Sequence, residues 1–280
     1  MKSPSEICPD PTSRLVRRVR PWLGTLVEIR AAARQSAPIE TAIDQAFAAV
    51  AQVHALMNAH DAASELRRVM TAPCRRALPV HPWTWQVLAA ALDLAKSSAG
   101  AFDFTLCGRW RDLELLSGNR ARLAHRIPLD LSGIAKGFAV DAAIDVLRTE
   151  GMQSATVNAG GDLRVFGPDR EPLHIRCPNA PGRFISAGFL ANEAAATSGN
   201  YFDPPGAGRL RRPDHNQVMA CHDSITVRAS TCMVADGLTK VVAILGLARA
   251  RPVLAAYGAT ALVLQTDGHN QTSDDTQNAA

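Results

Sequence analysis

Residues 129–167, LDLSGIAKGFAVDAAIDVLRTEGMQSATVNAGGDLRVFG, carry the densest set of local signals in the chain. The stretch opens on a polar, glycine-bearing turn, Asp130-Leu131-Ser132-Gly133, which Ala135-Lys136-Gly137 continues. Val140, Ala143, Ile144 and Leu147 recur at helical spacing, which predicts a helix over about 138–150 with Asp141 and Asp145 on the opposite face. Gly151 ends it in the left-handed conformation that glycine adopts at little cost. A strand over 155–157, the turn Asn158-Ala159-Gly160-Gly161-Asp162 and a strand over 163–166 complete the unit. Gly133 and Gly137 bracket a helix start, where free N–H groups and the helix dipole suit an anion such as phosphate. Gly160-Gly161 lets a backbone approach a flat or bulky ligand. A plain loop-helix-hairpin, with Gly160-Gly161 as an ordinary turn, accounts for the same glycines.

Outward from this unit the chain alternates helical and strand patterns. Residues 1–20 read as a flexible lead-in, and 23–31 as the first strand with Gly24-Thr25 at its start. Pro38 opens a helix with Ile39, Ile43, Phe47, Val50, His54 and Met57 at helical spacing; His54 is given no role. Ser64-Glu65-Leu66-Arg67 starts a turn or short helix, and an amphipathic helix runs over 82–98. Residues 101–106 follow as an extended segment. Strands and turns fill 167–190, a glycine-bearing turn spans 192–201, and 203–213 form a basic, solvated loop. A strand over 224–229 precedes a helix over 233–245 with Asp236 in its first turn. The last strand covers 260–265, and a polar tail ends the chain over 267–280 as a disordered segment.

A chain of 280 residues, 47% hydrophobic and 20% charged, has the composition of a globular protein able to bury a full core. The net charge of +4 comes without a long Lys/Arg run interleaved with aromatics, which argues against a nucleic-acid binder. Six cysteines stand without a CxxC pair, a pattern that fits free thiols in a reducing compartment. No apolar run is long enough to span a membrane, and the N-terminus lacks an apolar signal core ahead of Cys8. These features predict a cytoplasmic protein. No GxGxxG follows a strand, which leaves no ground for a dinucleotide-binding dehydrogenase.

Six pieces in order carry a resemblance: LGTLVEI at 23–29, SELRRV at 64–69, SSAGAFDFT at 97–105, the 129–167 unit, AATSGNYF at 195–202 and STCMVADGLTKVVAILG at 230–246. Together they resemble the FAD:protein FMN transferases, the ApbE family, over residues 22–265. The resemblance implies an α+β fold related to the T-fold, with mixed sheets packed with helices, as one domain over 21–266. It implies that FAD is split at its pyrophosphate, that FMN is joined through a phosphoester to a threonine of an acceptor flavoprotein, and that AMP leaves. Attack at such a phosphorus needs a cation against the oxygens and a hydroxyl held in line, and magnesium suits that role.

Carried over by position, the resemblance implies FAD contacts from Ala101, Phe102, Asp103, Asp130 and Lys136. It places the Gly160-Gly161 turn and the Thr197, Ser198 and Gly199 loop beside the nucleotide. Gly133 would offer its carbonyl to magnesium, with Asp236 as the metal-binding aspartate. Three departures stand out. The family's His-Ile-Ile-Asp-Pro-x-Thr-Gly segment is Asp214-His215-Asn216-Gln217-Val218-Met219 here, which retains at most His215. The position four after Asp236, where the family commonly presents a metal-ligating threonine, is Lys240, with Thr239 one residue earlier. The metal set of this reading is therefore Gly133, Asp236 and Thr239. A protonated lysine cannot ligate magnesium; its ammonium is expected to replace part of the metal's charge, and Asp236 and Lys240 are the catalytic pair. Third, many members are exported and lipid-anchored, whereas no export signal is visible. Two other readings are open: a flavin-binding protein that no longer transfers FMN, and a metal-dependent FAD pyrophosphatase.

Overall fold

A computed structural model describes residues 13–34, 38–178, 180–199, 210–211, 218–219, 224–265 and 270–273. The chain begins with a hairpin of two ten-residue strands, β1 (Ser13–Trp22) and β2 (Thr25–Arg34), paired antiparallel across Leu23-Gly24. Both turn residues take positive φ, 56° and 72°, as a two-residue hairpin loop requires. The flexible lead-in expected over 1–20 is thus corrected for 13–20; residues 1–12 lie outside the described residues. The strand escaped notice because arginines interrupt its apolar residues. Arg14 and Arg18 reach Glu40 at 2.7 and 2.8 Å, and Arg20 pairs with Asp44, both acids lying on helix α1 (Ile39–Met57).

Helix α2 (Glu65–Thr71) is capped by Ser64, whose Oγ accepts the Arg67 N–H at 3.1 Å. A small antiparallel sheet follows, formed by β3 (Leu78–Pro79), β4 (Leu113–Leu116) and β5 (Arg120–Leu123) in the order β3-β5-β4, with α3 (Pro82–Ser97) beside it. Residues 101–106, expected to be extended, are instead a run of turns closed by side chains. Helix α4 (Ala135–Thr149) starts three residues earlier than the apolar spacing predicts. Strands β6 (Ser154–Ala159) and β7 (Asp162–Phe166) form the predicted hairpin.

Strands β8 (Glu171–Cys177) and β9 (Ala180–Leu190) pair with each other. The turn expected over 192–201 is a strand at its centre, β10 (Ala194–Ser198), bonded to β7 on one side. Two short strands, β11 (Leu210–Arg211) and β12 (Val218–Met219), pair before β13 (Ser224–Ala229). Helices α5 (Cys232–Leu245) and α6 (Leu247–Ala256) precede β14 (Thr260–Leu264) and β15 (Asn270–Thr272). No pattern had predicted α6, and β15 corrects the disordered tail at 270–272.

Eight strands make the main sheet in the order β1-β2-β6-β7-β10-β13-β14-β15, and every pairing is antiparallel. One face meets α1, α4 and α5. Strand β2 shows why: Val27, Ile29, Ala31 and Ala33 alternate inward, two residues apart, toward the core that also holds Ile144, Leu147, Leu238 and Val241. On the other face Leu163, Val165, Ala195 and Leu264 are covered by Leu173, Ile175 and Leu190 of the β8–β9 hairpin. The chain is therefore an α+β fold, with helices on one face of an antiparallel sheet.

Helices α4 and α5 approach so closely that a Cβ on Gly137 would stand 2.3 Å from the Cys232 carbonyl oxygen. That contact is with backbone, which cannot turn aside. Gly137→Ala is expected to lower stability by at least about 2 kcal/mol, as overpacking of a close contact does, and to lower Tm by several degrees. Gly182→Ala, with nothing within 4 Å of the added carbon, should leave the Tm unchanged in the same thermal denaturation.

Candidate active site

The α4–α5 crossing gathers the charged residues. Asp236 lies one turn into α5, not in its first turn, and is 1% exposed. Its Oδ2 accepts the Gly137 N–H at 3.1 Å, and its Oδ1 accepts Lys240 Nζ at 2.9 Å. Lys240 Nζ also donates to Thr239 Oγ1 at 3.0 Å, and that hydroxyl donates to the Asp236 carbonyl at 2.7 Å. Lys136, at the start of α4, pairs through Nζ with the buried Asp162 carboxylate at the foot of β7. The stem of Lys240 runs past Gly133: a Cβ there would meet Lys240 Cγ and Phe102 Cε2, each at 3.5 Å.

Burial by itself would raise the Asp236 pKa. The Lys240 and Lys136 ammoniums, with the hydrogen bonds from Lys240 and Gly137, outweigh it and hold the carboxyl below its usual range. Desolvation pulls Lys136 below the usual lysine range, opposed by Asp236 and reinforced by Lys240. The two lysines and Asp236 thus form one electrostatic unit.

Of the other expected site residues, Phe102 stands beside Lys240 at Gly133. Phe102 is buried, and its N–H is held by Ser98 Oγ at 3.0 Å, with half-buried Ala101 beside it. Asp103 turns inward on its own loop: Oδ1 accepts the Thr105 N–H at 2.9 Å and hydroxyl at 2.6 Å, and Oδ2 accepts the Gly108 N–H at 2.6 Å. Asp130 Oδ1 accepts the Ser132 N–H at 2.8 Å, shaping the turn before α4. Gly160 and Gly161 form the two-residue β6–β7 turn, with φ of 62° and 103°, so the plain hairpin reading describes their conformation. A Cβ on Gly161 would stand 3.9 Å from Thr197 Cβ, which places β10 beside the turn. Thr197 Oγ1 shares a hydrogen bond with Thr226 at 2.9 Å, and Ser198 pairs in register with Ile225. His215 and residues 200–209 lie outside the described residues.

Two features were missed. Asp162 was read only as a turn residue, yet strand alternation puts it with Arg164 and Phe166 on the face toward α4. Asp141, expected on the outer face of its helix, is buried. It bonds Arg164 Nη1 at 2.9 Å and accepts the Cys232 and Met233 N–H groups at 2.9 and 2.8 Å, the first turn of α5. Burial pushes its carboxyl up, against Arg164 and those two N–H groups. The legible signal was its place one helical turn after Gly137, on the face α5 must approach. A hollow of about 420 Å³ beside α4, lined by Trp83, Phe138, Asp141 and Arg164 among others, holds none of the expected site residues.

Two lysine–aspartate pairs thus meet at a helix crossing in an α+β fold. The sequence model of the ApbE family matches residues 23–111 and 106–263, and the chain belongs to that family. It is 32% identical over 155 residues to the FAD:protein FMN transferase of Vibrio cholerae serotype O1, covering 50% of this chain and 45% of that protein. It is 33% identical over 168 residues to the one from Haemophilus influenzae, covering 53% and 47%. The matched stretch thus spans about half the length of these relatives. Among solved structures, the flavin transferase ApbE from Vibrio cholerae superposes with a TM-score of 0.80 at 24% identity, covering 94% of this chain and 98% of that one. The Pseudomonas stutzeri flavinyl transferase ApbE, apo form, gives 0.81 at 22% identity, covering 94% and 95%. At these identities the likeness fixes the fold.

The magnesium site that the resemblance implies, from Gly133, Asp236 and Thr239, does not fit the donors present. Both Asp236 oxygens and the Thr239 hydroxyl already serve protein donors, and the cation between them is Lys240. Among the described residues no group of three His, Cys, Asp or Glu could hold a metal ion.

Two outcomes are expected. Asp141→Asn leaves the Arg164 guanidinium, 12% exposed, without its charge partner, and should cost about 3–5 kcal/mol in urea denaturation. Asp141→Asn combined with Arg164→Met, which removes the unpaired charge and keeps an acceptor for the first N–H groups of α5, should recover part of that loss. Because the folded state holds Asp236 ionised, its contribution is full above about pH 4 and is lost as pH falls through its depressed pKa. Urea midpoints should therefore fall more steeply toward acid for the wild-type chain than for Asp236→Asn.

Proposed function

We propose that this chain is a FAD:protein FMN transferase. The observation that carries the reading is the cluster of Lys136, Lys240, Asp236 and Asp162 with Phe102 at the α4–α5 crossing, within the segments the family model matches. The names of the matched relatives support the same activity. In this reading the hydroxyl oxygen of an acceptor threonine bonds to the FMN phosphorus of FAD. The bond from that phosphorus to the bridging oxygen breaks, AMP departs with the electron pair, and the hydroxyl proton is released.

The residues divide the work by type. Lys136 and Lys240 bring ammonium charge to the pyrophosphate, where negative charge shifts onto the leaving oxygen. Phe102 offers a ring edge next to Gly133, and the Gly160-Gly161 turn and Thr197 border the nucleotide. Asp236 holds Lys240 in place through Oδ1. No step is assigned to magnesium, since the donors are engaged by Lys240 and Gly137.

No helix among the described residues is long and apolar enough to cross a membrane. Free Cys74 and Cys107 at the surface support a reducing, cytoplasmic setting for the reaction.

The test mixes the purified protein with FAD and an acceptor domain bearing a Ser/Thr-Gly-Ala-Thr site, followed by intact mass. The expected result is a gain of one FMN per acceptor, slowed at least about 100-fold by Asp236→Ala, the scale of losing one preorganised electrostatic partner. An unchanged acceptor with FAD bound and intact, on a second acceptor sequence as well, points to a flavin-binding protein. AMP formed without acceptor points to a pyrophosphatase.

A further inference from the structure

We propose that Lys240 is a built-in replacement for a divalent metal ion, so that the site handles its diphosphate substrate without binding magnesium; this rests on the FMN transferase reading above. The geometry is that of a cation held by oxygen donors. Lys240 Nζ sits 2.9 Å from Asp236 Oδ1 and 3.0 Å from Thr239 Oγ1. By sequence those same two residues are expected at the metal, Thr239 standing one residue before the position where the resemblance implies a threonine ligand.

Protein donors already engage the groups that would face the ion. Asp236 Oδ2 is taken by the Gly137 N–H at 3.1 Å. Thr239 gives its proton to the Asp236 carbonyl at 2.7 Å and accepts from Lys240. The lysine stem lies against Gly133, as does the Phe102 ring, with Cγ and Cε at 3.5 and 3.6 Å from where a Gly133 Cβ would be. A divalent ion entering there would have to expel the stem and add its charge to the Lys136 ammonium, with only Asp236 and Asp162 to offset both.

The ammonium supplies what the chemistry needs from the cation. It puts positive charge against the phosphoryl oxygens while the acceptor oxygen bonds to phosphorus and the bond to the bridging oxygen of AMP breaks. Being a point charge on a flexible stem, it can turn from Asp236 to a phosphate oxygen and back.

Two measurements on the full chain test this. In the first, Mn²⁺ is titrated into protein without flavin and free ion is read by electron paramagnetic resonance. Wild type is expected to leave the free signal unchanged, and Lys240→Thr to bind one Mn²⁺ at least 10-fold more tightly. One Mn²⁺ bound by wild type and lost in Asp236→Ala overturns the proposal, as does Lys240→Thr binding no better than wild type. Lys240→Ala, which removes both the charge and the stem beside Gly133, replaces Lys240→Thr should that variant fail to fold.

In the second, FMN transfer is followed by intact mass in excess EDTA. Wild type is expected to keep its rate within twofold, and Lys240→Thr to need added Mg²⁺. Wild-type transfer that stops in EDTA and returns with Mg²⁺ overturns the proposal. Absence of transfer under every condition overturns the transferase reading instead, while the Mn²⁺ titration still decides whether Lys240 excludes the metal.

Discussion

The backbone contact between α4 and α5 at Gly137 is the constraint on which the site depends. With no side chain there, the Cys232 carbonyl lies against the α4 backbone. That separation lets each helix satisfy the other's start. The α4 N–H of Gly137 reaches the Asp236 carboxylate on α5, and the first N–H groups of α5 reach the Asp141 carboxylate on α4. Helix starts leave such groups without intrahelical partners, and burial makes that costly. Two carboxylates exchanged across one crossing remove the cost on both sides and fix the helices in rotation as well as distance.

The sheet locks this pair from below by simple alternation. Asp162, Arg164 and Phe166 share the β7 face toward α4, where they meet Lys136, Asp141 and the Arg148 guanidinium over the Phe166 ring at 5.0 Å. The charge order is reversed between the first two pairs, acid to lysine and then arginine to acid. Sliding α4 along β7 to the next pairing would set like charges against each other. Buried ion pairs add little net stability once desolvation is counted, and their attested use is to fix register. Here the register holds Lys136 next to Asp236 and Lys240, so a structural device also sets the electrostatics of the site.

Much of this was legible in the chain. The apolar spacing of Val140, Ile144 and Leu147 gave α4, the Gly160-Gly161 pair gave the hairpin, and Leu238, Val241 and Leu245 gave α5. What was hidden was information carried between elements. Asp141 looks like a surface residue because an aspartate on a helix usually is one; only the approach of α5, 91 residues later in the chain at Cys232, makes it an interior cap. Asp103 and the 101–106 segment look extended because alternating Phe102 and Phe104 mimic a strand, whereas the aspartate side chain closes the loop on Thr105 and Gly108. Strand β1 was obscured by arginines whose partners on α1 are supplied by tertiary structure alone.

Lys240 completes the charge balance of the site. The cluster holds two ammoniums and two carboxylates, Lys136 with Asp162 and Lys240 with Asp236, so it is neutral as it stands. A neutral, internally paired site can be buried without a counter-ion. Asp236 divides its two oxygens, one to the Gly137 N–H and one to Lys240, so the helix contact and the charge pairing rest on separate atoms.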